Sequence, residues 1–331
     1  MNTFGQIFRI SIFGESHGNG IGVVIDGVPP GIAMAEDDFT ADLARRRSGA
    51  PGTTSRREPD QPKIMSGVYN GITTGAPIAV FFENTDTKSA DYENLRDIPR
   101  PGHADFTARI KFGGFSDPRG GGHFSGRITL GLVAAGVVAK KIISPVTVSS
   151  HILEIGGETD IEKALKNIKD TGDSIGGIVQ CIVANVPKGL GEPFFGSVES
   201  TISHLVFSIP AISAIEFGAG FGAARIRASQ HNDPFISNDG KTGSNNSGGI
   251  NGGITNGNDI VFRVAVKPTS SISLPQETIN LKTGRPEILK IEGRHDACIA
   301  LRVPVIVEAA AAIGLADLFI LNQRNLIAGT S

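Results

Sequence analysis

The chain contains no tryptophan, and only 2 tyrosines, 3 methionines and 2 cysteines occur among its 331 residues. Two cysteines, Cys181 and Cys298, permit at most one intrachain disulfide and exclude a four-cysteine zinc site. Such usage fits a reducing compartment, so a cytoplasmic location is expected. Charge of either sign in excess is missing as well. The 31 Lys+Arg and 33 Asp+Glu leave a net charge of -2, which excludes a globally basic nucleic-acid binder. No uninterrupted apolar run reaches roughly 18 residues, so neither an ordinary transmembrane helix nor a membrane partner is expected. The first residues carry Arg9 inside an apolar pattern and lack the basic-then-apolar layout of a secretory signal.

What is abundant is glycine: 43 residues, about 13%, against a usual value near 7%. The glycines lack a three-residue period, which excludes collagen, and they crowd beside arginines, histidines and asparagines. Segments of that kind suit backbone-lined binding loops. Length alone suggests about two domains. The polar loops of both halves are needed to make one site, so a single catalytic domain over residues 1–331 is the preferred organisation.

Alternation over residues 4–13, with Phe4, Phe8, Ile10 and Ile12 on one parity, predicts a strand, resumed over 21–25. A helix is predicted over 36–47, acidic at its start and basic at its end. A polar loop (48–62) and a buried strand (78–82) follow, then a strand near 106–112. Small apolar residues at three- and four-residue spacing predict a close-packed helix over 128–141, capped by Ser125. Thr159 and Glu162 have capping-box spacing at the start of an amphipathic helix over 159–169. Strands are expected at 177–186, 214–217 and 260–266, and helices at 198–207 and 304–321. Residues 240–258, with seven glycines and five asparagines, are too polar for core. The mixture is α+β and multilayered. Each half carries a glycine-rich loop with histidine and arginine before an alanine-rich helix, which suggests two similar halves around one active site.

Six segments carry chemistry. Gly14-Glu15-Ser16-His17-Gly18 satisfies the G-x-S-x-G pattern, but a nucleophile elbow needs a strand-to-helix turn, and here strand pattern resumes. His17 at the strand end could serve as an acid or base near neutral pH. Arg45, Arg46, Arg47, Arg56, Arg57 and Lys63 read either as a solvated charge run or as forks for phosphate and carboxylate. Arg100-Pro101-Gly102-His103-Ala104-Asp105 sets an imidazole on a stiff turn. Arg119 to Arg127, through Gly120-Gly121-Gly122-His123-Phe124-Ser125, opens a helix and makes a credible anion site; that segment has neither a Walker ending nor a dinucleotide fingerprint. Lys267-Pro268-Thr269-Ser270-Ser271 follows a strand, and Gly293-Arg294-His295-Asp296 precedes the last helix. The seven histidines form no zinc signature, so no metal is assigned.

Taken in order, Gly14–Gly18, Arg100–Asp105, Gly120–Gly122, Lys267–Ser271 and Gly293–Asp296, with the run Asp296-Ala297-Cys298-Ile299-Ala300-Leu301-Arg302-Val303-Pro304, resemble the chorismate synthase family over nearly the whole chain. The resemblance implies a compact β-α-β sandwich assembled as a homotetramer. It implies conversion of 5-enolpyruvylshikimate 3-phosphate to chorismate and phosphate by 1,4-anti elimination with reduced FMN. NADPH would be an external source of reducing equivalents, through a separate flavin reductase. His17 would then protonate the leaving phosphate, His103 would face the flavin near N1 and the C2 carbonyl, and Asp296 would work near N5. Arg46, Arg57 and Arg127 would hold substrate anions. Arg46, His123, Phe124, Ser125, Pro210, Ala211, Gly252, Lys267, Pro268, Thr269, Ser270, Ser271 and Arg294 match cofactor-contact segments. Where many relatives carry Arg-Ser-Ser this chain has His123-Phe124-Ser125, and Ile128 replaces their acidic residue.

Two other classes compete. A flavin oxidoreductase could use the same cradle, and would give net substrate oxidation. A phosphate- or nucleic-acid-binding module could use the basic run, but no aromatics interleave that run for base stacking.

Overall fold

The computed structural model describes residues 1–49, 52–54, 56, 58–86, 96–291 and 295–326. Two antiparallel sheets form its outer layers. The first contains β1 (Thr3–Phe4), β2 (Arg9–Gly14), β3 (Gly20–Asp26), β4 (Lys63–Ser66) and β7 (Ile78–Glu83), in the order β1-β2-β3-β7-β4. A small hairpin of β5 (Val68–Tyr69) and β6 (Ile72–Thr73) projects beside it. The second contains β8 (Thr147–Ile155), β9 (Gly177–Ala184), β10 (Ile212–Phe217) and β13 (Ile260–Val266), in the order β10-β13-β9-β8. Two further hairpins are β11 (Ile250–Asn251) with β12 (Ile254–Thr255), and β14 (Gln276–Asn280) with β15 (Arg285–Leu289).

The helices are α1 (Thr40–Arg46), α2 (Asp105–Lys111), α3 (Thr129–Ile142), α4 (Ile161–Ile168), α5 (Val198–Phe207), α6 (Ala228–His231) and α7 (Val303–Leu326). Of these, α3 packs on β2 and β3, α7 packs on β8 and β9, and the two helices pack on each other between the sheets. Small residues make that approach possible: a Cβ on Gly136 would lie 2.4 Å from the Ala309 Cβ. The strands point alternate residues inward, as in β13, where Ile260, Phe262, Val264 and Val266 are buried. The α+β sandwich is therefore as expected, with one sheet and one long alanine- and glycine-rich helix from each half.

Residues 299–323 are long and apolar enough to cross a bilayer by length and composition, yet 83% of the most apolar window is buried in the fold. This is a core helix, and its two carboxylates are satisfied. Glu308 accepts from Arg45 at 2.6 and 2.7 Å, from Lys140 and from Ser150. Asp317 accepts the backbone N–H groups of Gln6, Ile7 and Phe8.

Those last bonds explain the first correction. The strand expected over 4–13 is broken into β1 and β2 by a turn that Asp317 caps. The strand expected near 106–112 is the helix α2: Phe106, Ala108, Ile110 and Phe112 alternate, but Phe106 and Ile110 are also one helical turn apart. Gly113, at φ 59°, ends that helix in the left-handed region. Asp160, not Thr159, caps α4 by accepting from the Lys163 N–H. The glycine–asparagine segment nonetheless forms the hairpin β11–β12, with Ile250 and Thr255 buried. Strand β8 had no sequence expectation at all, because its pattern is only half-buried.

Candidate active site

The glycine-rich turns converge on a cavity of about 850 Å³. Its walls come from both halves of the chain, so one site serves the whole sandwich. Apolar wall residues include Ile12, Leu132, Ile209, Ile299, Val303 and Ile306. Among the described residues, seven arginine and lysine side chains line it (Arg46, Arg47, Arg56, Arg100, Arg127, Lys267 and Arg302) against three carboxylates, Glu58, Asp60 and Asp296. In a chain of net charge -2 this is a local positive field in a low-dielectric cleft.

The turn Gly120–Gly122 divides the site. All three glycines have positive φ, at 59°, 79° and 53°. A Cβ on Gly120 would lie 2.5 Å from His17 Cδ2, 2.6 Å from His17 Nε2 and 2.8 Å from Ser16 Oγ. A Cβ on Gly121 would lie 3.4 Å from His103 Nε2. Only glycine permits this backbone to run between the two imidazoles. His17 is buried and is not itself part of the cavity wall, so Gly120 stands between it and the cavity. The segment around His17 is a β2–β3 hairpin turn, with Gly14 opposite Ile21, and no elbow is formed.

On the His17 side, arginines alternate with carboxylates. Arg56 donates from Nη1 to Ser16 Oγ at 3.0 Å and from Nη2 to Glu58 Oε1 at 2.7 Å. Arg127 donates from Nη1 to Asp60 Oδ1 at 2.8 Å and from Nε to Asn84 Oδ1 at 2.7 Å. Arg46, 1% exposed, donates to Asp60, Thr129 and the carbonyls of Gly126 and Arg127. Most of its donors are thus spent on the entry to α3. Burial first, then the neighbouring charge of Arg302, pushes the Arg46 guanidinium down to about 9. Burial would raise Glu58, but the Thr85 N–H and Arg56 bonds outweigh it and hold the carboxyl low. Ser125 caps the 3₁₀ turn Gly126–Ile128 that leads into α3, its Oγ accepting the Arg127 N–H at 3.3 Å, rather than α3 itself, whose N-cap position is Ile128.

On the other side, His103 Nδ1 lies 2.6 Å from Asp105 Oδ1. A carboxylate only accepts, so Nδ1 carries the proton and Nε2 is left toward the Gly121 turn. Arg100 pairs with both Asp105 oxygens at 2.7 Å and donates to Ser271 Oγ at 3.0 Å. Burial opposes the Asp105 charge, but bonds from Arg100 and His103 hold its carboxyl well below the usual range. Lys267 Nζ and Ser270 Oγ both donate to the Gly102 carbonyl, at 2.8 and 2.7 Å, so the 267–271 turn is stapled to the His103 loop.

Asp296 is tied to the arginine side. Its Oδ2 is 3.2 Å from Arg302 Nη1, its Oδ1 accepts the Thr54 N–H at 2.9 Å, and Arg302 donates to the Arg46 carbonyl. His103, Asp296, Arg46, Arg127, His123, Phe124, Ser125, Pro210, Ala211 and Lys267, Pro268, Thr269, Ser270 and Ser271 all line the cavity. His123 spends its ring on the Gly14 carbonyl and Asn2 Oδ1. Gly252 is not among the lining residues; it turns the β11–β12 hairpin. Arg57 and Arg294 lie outside the described residues. Sequence reasoning missed Glu58, Asp60, Asp105 and Arg302 as members of the network. Their signal was the presence of acids among arginines, which also fits a solvated loop.

Among the described residues, four buried side-chain atoms have no hydrogen-bond partner, and three of them, Arg127 Nη2, Thr269 Oγ1 and His295 Nε2, belong to cavity residues.

The family model for chorismate synthase matches residues 8–320. The chain is 59% identical over 326 residues to the chorismate synthase of Chitinophaga pinensis, covering 98% of each chain. It is 45% identical to that of Pyrococcus abyssi, covering 95% of this chain and 96% of the relative. A crystal structure of a chorismate synthase superposes with a TM-score of 0.73 at 27% identity, covering 96% of this chain and 93% of the other. The chain belongs to the chorismate synthase family, an enzyme with the lyase role in chorismate biosynthesis.

Proposed function

We propose that the cavity takes 5-enolpyruvylshikimate 3-phosphate beside reduced FMN and eliminates phosphate in the 1,4-anti sense to give chorismate. The observation that carries this reading is the meeting, among the described residues, of seven cationic side chains in one half-apolar cavity. The substrate brings a phosphate and two carboxylates, which match guanidinium forks. A volume of about 850 Å³ suits a planar heterocycle and a substrate together, and the apolar walls suit the ring.

Arg127, with Arg56 and Arg57, would hold substrate anions, while Arg46 fixes the backbone from which Arg127 projects. His103 would present Nε2 to the cofactor; Lys267 to Ser271, Pro210 and Ala211 would flank it. When bound and reduced, FMN supplies electron density to an elimination that has no net redox change. One C–O and one C–H bond break, and phosphate and a proton leave. His17 would supply a proton to the departing phosphate past the Gly120 backbone, and Asp296 is the carboxylate at hand for the substrate proton. Exposed Phe115, Phe194, Phe195, Phe221 and Phe235 support assembly as a homotetramer of single-domain chains. Both cysteines are free and buried, which suits the cytoplasm, where a separate NADPH-dependent reductase would keep the flavin reduced.

The test is an anaerobic assay with chemically reduced FMN and 5-enolpyruvylshikimate 3-phosphate. Equal amounts of chorismate and phosphate are expected. Net substrate oxidation would instead support an oxidoreductase, and RNA binding without turnover a binding module.

A further inference from the structure

The turn that carries His17 is gripped by a side chain outside the cavity wall. The Glu15 carbonyl accepts the Gly18 N–H at 3.2 Å, so Ser16 and His17 are the central residues of a tight turn between β2 and β3. Asn84, the residue after β7, holds both ends of that turn. Its Nδ2 donates to the Glu15 carbonyl at 3.0 Å and to the Gly18 carbonyl at 2.8 Å. Its Oδ1 accepts from Arg127 Nε at 2.7 Å. Its own N–H donates to the Asn19 carbonyl at 3.2 Å, one step past the Gly20–Glu83 pair of β3 and β7. Asn84 is not among the lining residues, whereas Arg127 is. The amide suits both neighbours: two carbonyls need donors, a guanidinium needs an acceptor, and one planar group supplies them. The next residue, Thr85, gives its N–H and hydroxyl to Glu58, which holds Arg56. The end of β7 is thus the common anchor of the arginine side.

We infer that Asn84 is a positioning residue for the elimination: it fixes the His17 turn against the Arg127 guanidinium, so that proton donor and anion-holding fork address the same phosphate. Each of the two keeps another anchor without it. Ser16 donates its N–H to the Gly122 carbonyl at 3.1 Å, and Arg127 holds Asp60 at 2.8 Å. Removing the amide therefore spares the fold and releases the placement of one group relative to the other. A misplacement of about 1 Å costs on the order of a hundredfold in rate. The inference rests on the function proposed above and adds a residue outside the assigned set.

The experiment uses the full chain with two variants. Asn84→Leu removes donors and acceptor at similar volume. Asn84→Asp keeps the shape and the acceptor for Arg127 but sets an oxygen against the Glu15 and Gly18 carbonyls. Single-turnover chorismate formation at saturating reduced FMN and 5-enolpyruvylshikimate 3-phosphate should fall about a hundredfold in both. In Asn84→Leu, substrate affinity, read by calorimetry with oxidised FMN so that no elimination runs, should fall by about tenfold, while FMN affinity by fluorescence quenching changes by less than about twofold. Each effect is then measured again with the positioned residue removed. In a His17→Ala background the Asn84 substitutions should cost about threefold in rate or less, and in an Arg127→Met background Asn84→Leu should cost about twofold in affinity or less.

Thermal unfolding checks each protein, and Asn84→Asp carries the rate comparison if Asn84→Leu does not fold. The same fractional loss of rate with and without His17 would overturn the inference, as the mark of a merely structural role. A folded variant with the wild-type rate would overturn it too, and in both cases the functional reading stands. A wild-type protein that forms no chorismate under these conditions would remove the functional reading itself, and this inference with it.

Discussion

The two sides of the Gly120–Gly122 turn use arginine in opposite ways. On the His17 side, Arg46, Arg56 and Arg127 share two carboxylates, Glu58 and Asp60, so positive charge is left over. On the His103 side, Arg100 is neutralised by Asp105 at 2.7 Å, and the Lys267 ammonium, bonded to the Gly102 carbonyl, faces the cavity among imidazole and hydroxyl groups. One side carries clustered guanidinium charge and the other a lysine among neutral polar groups. A phosphorylated, carboxylated substrate and the uncharged edge of a heterocycle need these two environments side by side. The glycine turn keeps them apart by the thickness of one backbone.

Filling that partition should have the largest effect. Gly120→Ala places a Cβ 2.5 Å from the His17 ring at a φ of 59°, so the turn and the imidazole cannot both keep their places. If His17 is the general acid, turnover should fall roughly 10²–10⁴-fold. Single-turnover chorismate formation at saturating reduced FMN measures it, with thermal unfolding as the folding control. A folded variant with the wild-type rate would remove His17 from the chemistry.

Arg127→Met tests the guanidinium side alone. It takes from Asp60 its 2.8 Å partner and from the cavity one of its cations. Asp60 keeps Arg46 at 3.3 Å, so about 1.5–3 kcal/mol of stability should go with the charge-assisted bond rather than the larger cost of an orphaned buried charge, and losing such a bond to the substrate should weaken its binding by roughly tenfold to a hundredfold. FMN affinity should change little. If denaturant titration and calorimetry show the opposite pattern, with FMN lost and substrate retained, the two sides have been assigned the wrong way round.

The contrast between the sides also explains what could be read from the sequence. Elements with strong periodicity were legible: β13 and α5 have the expected bounds, and α3 begins one residue later than expected. The motifs with unusual composition, such as the three glycines and the Lys267–Ser271 turn, pointed to the cavity because few structural demands explain them. The acids did not. Asp60 and Glu58 sit in a polar loop, where an acid beside an arginine ordinarily means solvation. Only the fold shows that Asp60 and the side chain of Glu58 are buried, with Asp60 in the left-handed region at φ 46°. Residues 106–112 failed for a different reason, since their alternation satisfies a strand and their four-residue spacing a helix.

Lys267→Met sharpens the His103 side. The ammonium donates to the Gly102 carbonyl at 2.8 Å and keeps the 267–271 turn against the His103 loop. Ser270 makes a second bond to the same carbonyl at 2.7 Å, so the staple is weakened rather than lost. About 1 kcal/mol is at stake, which would appear as a several-fold loss of FMN affinity with substrate affinity unchanged. An equal loss for both ligands would mean that the lysine belongs to the positive field rather than to the staple.

The dependence of stability on pH separates the two sides. Asp105 is held ionised by Arg100 and His103, so its folded pKa lies below the unfolded value of about 3.9. Between those two values the unfolded chain binds the extra proton and the native chain does not. The stabilisation is therefore complete above about pH 4 and drains away as pH falls through the folded value. Asp105→Asn has no such proton to bind. It should be less stable than wild type by about 1–3 kcal/mol at pH 7, because Arg100 and His103 lose their charged partner. That difference should narrow as pH drops below about 4, where the wild-type advantage is titrated away. Chemical denaturation of both proteins from pH 7 downward gives the two curves, and the difference between them cancels other acids, such as Asp233, that also titrate low. Parallel curves over the whole range would mean that Asp105 is not the ionised partner that fixes the His103 ring.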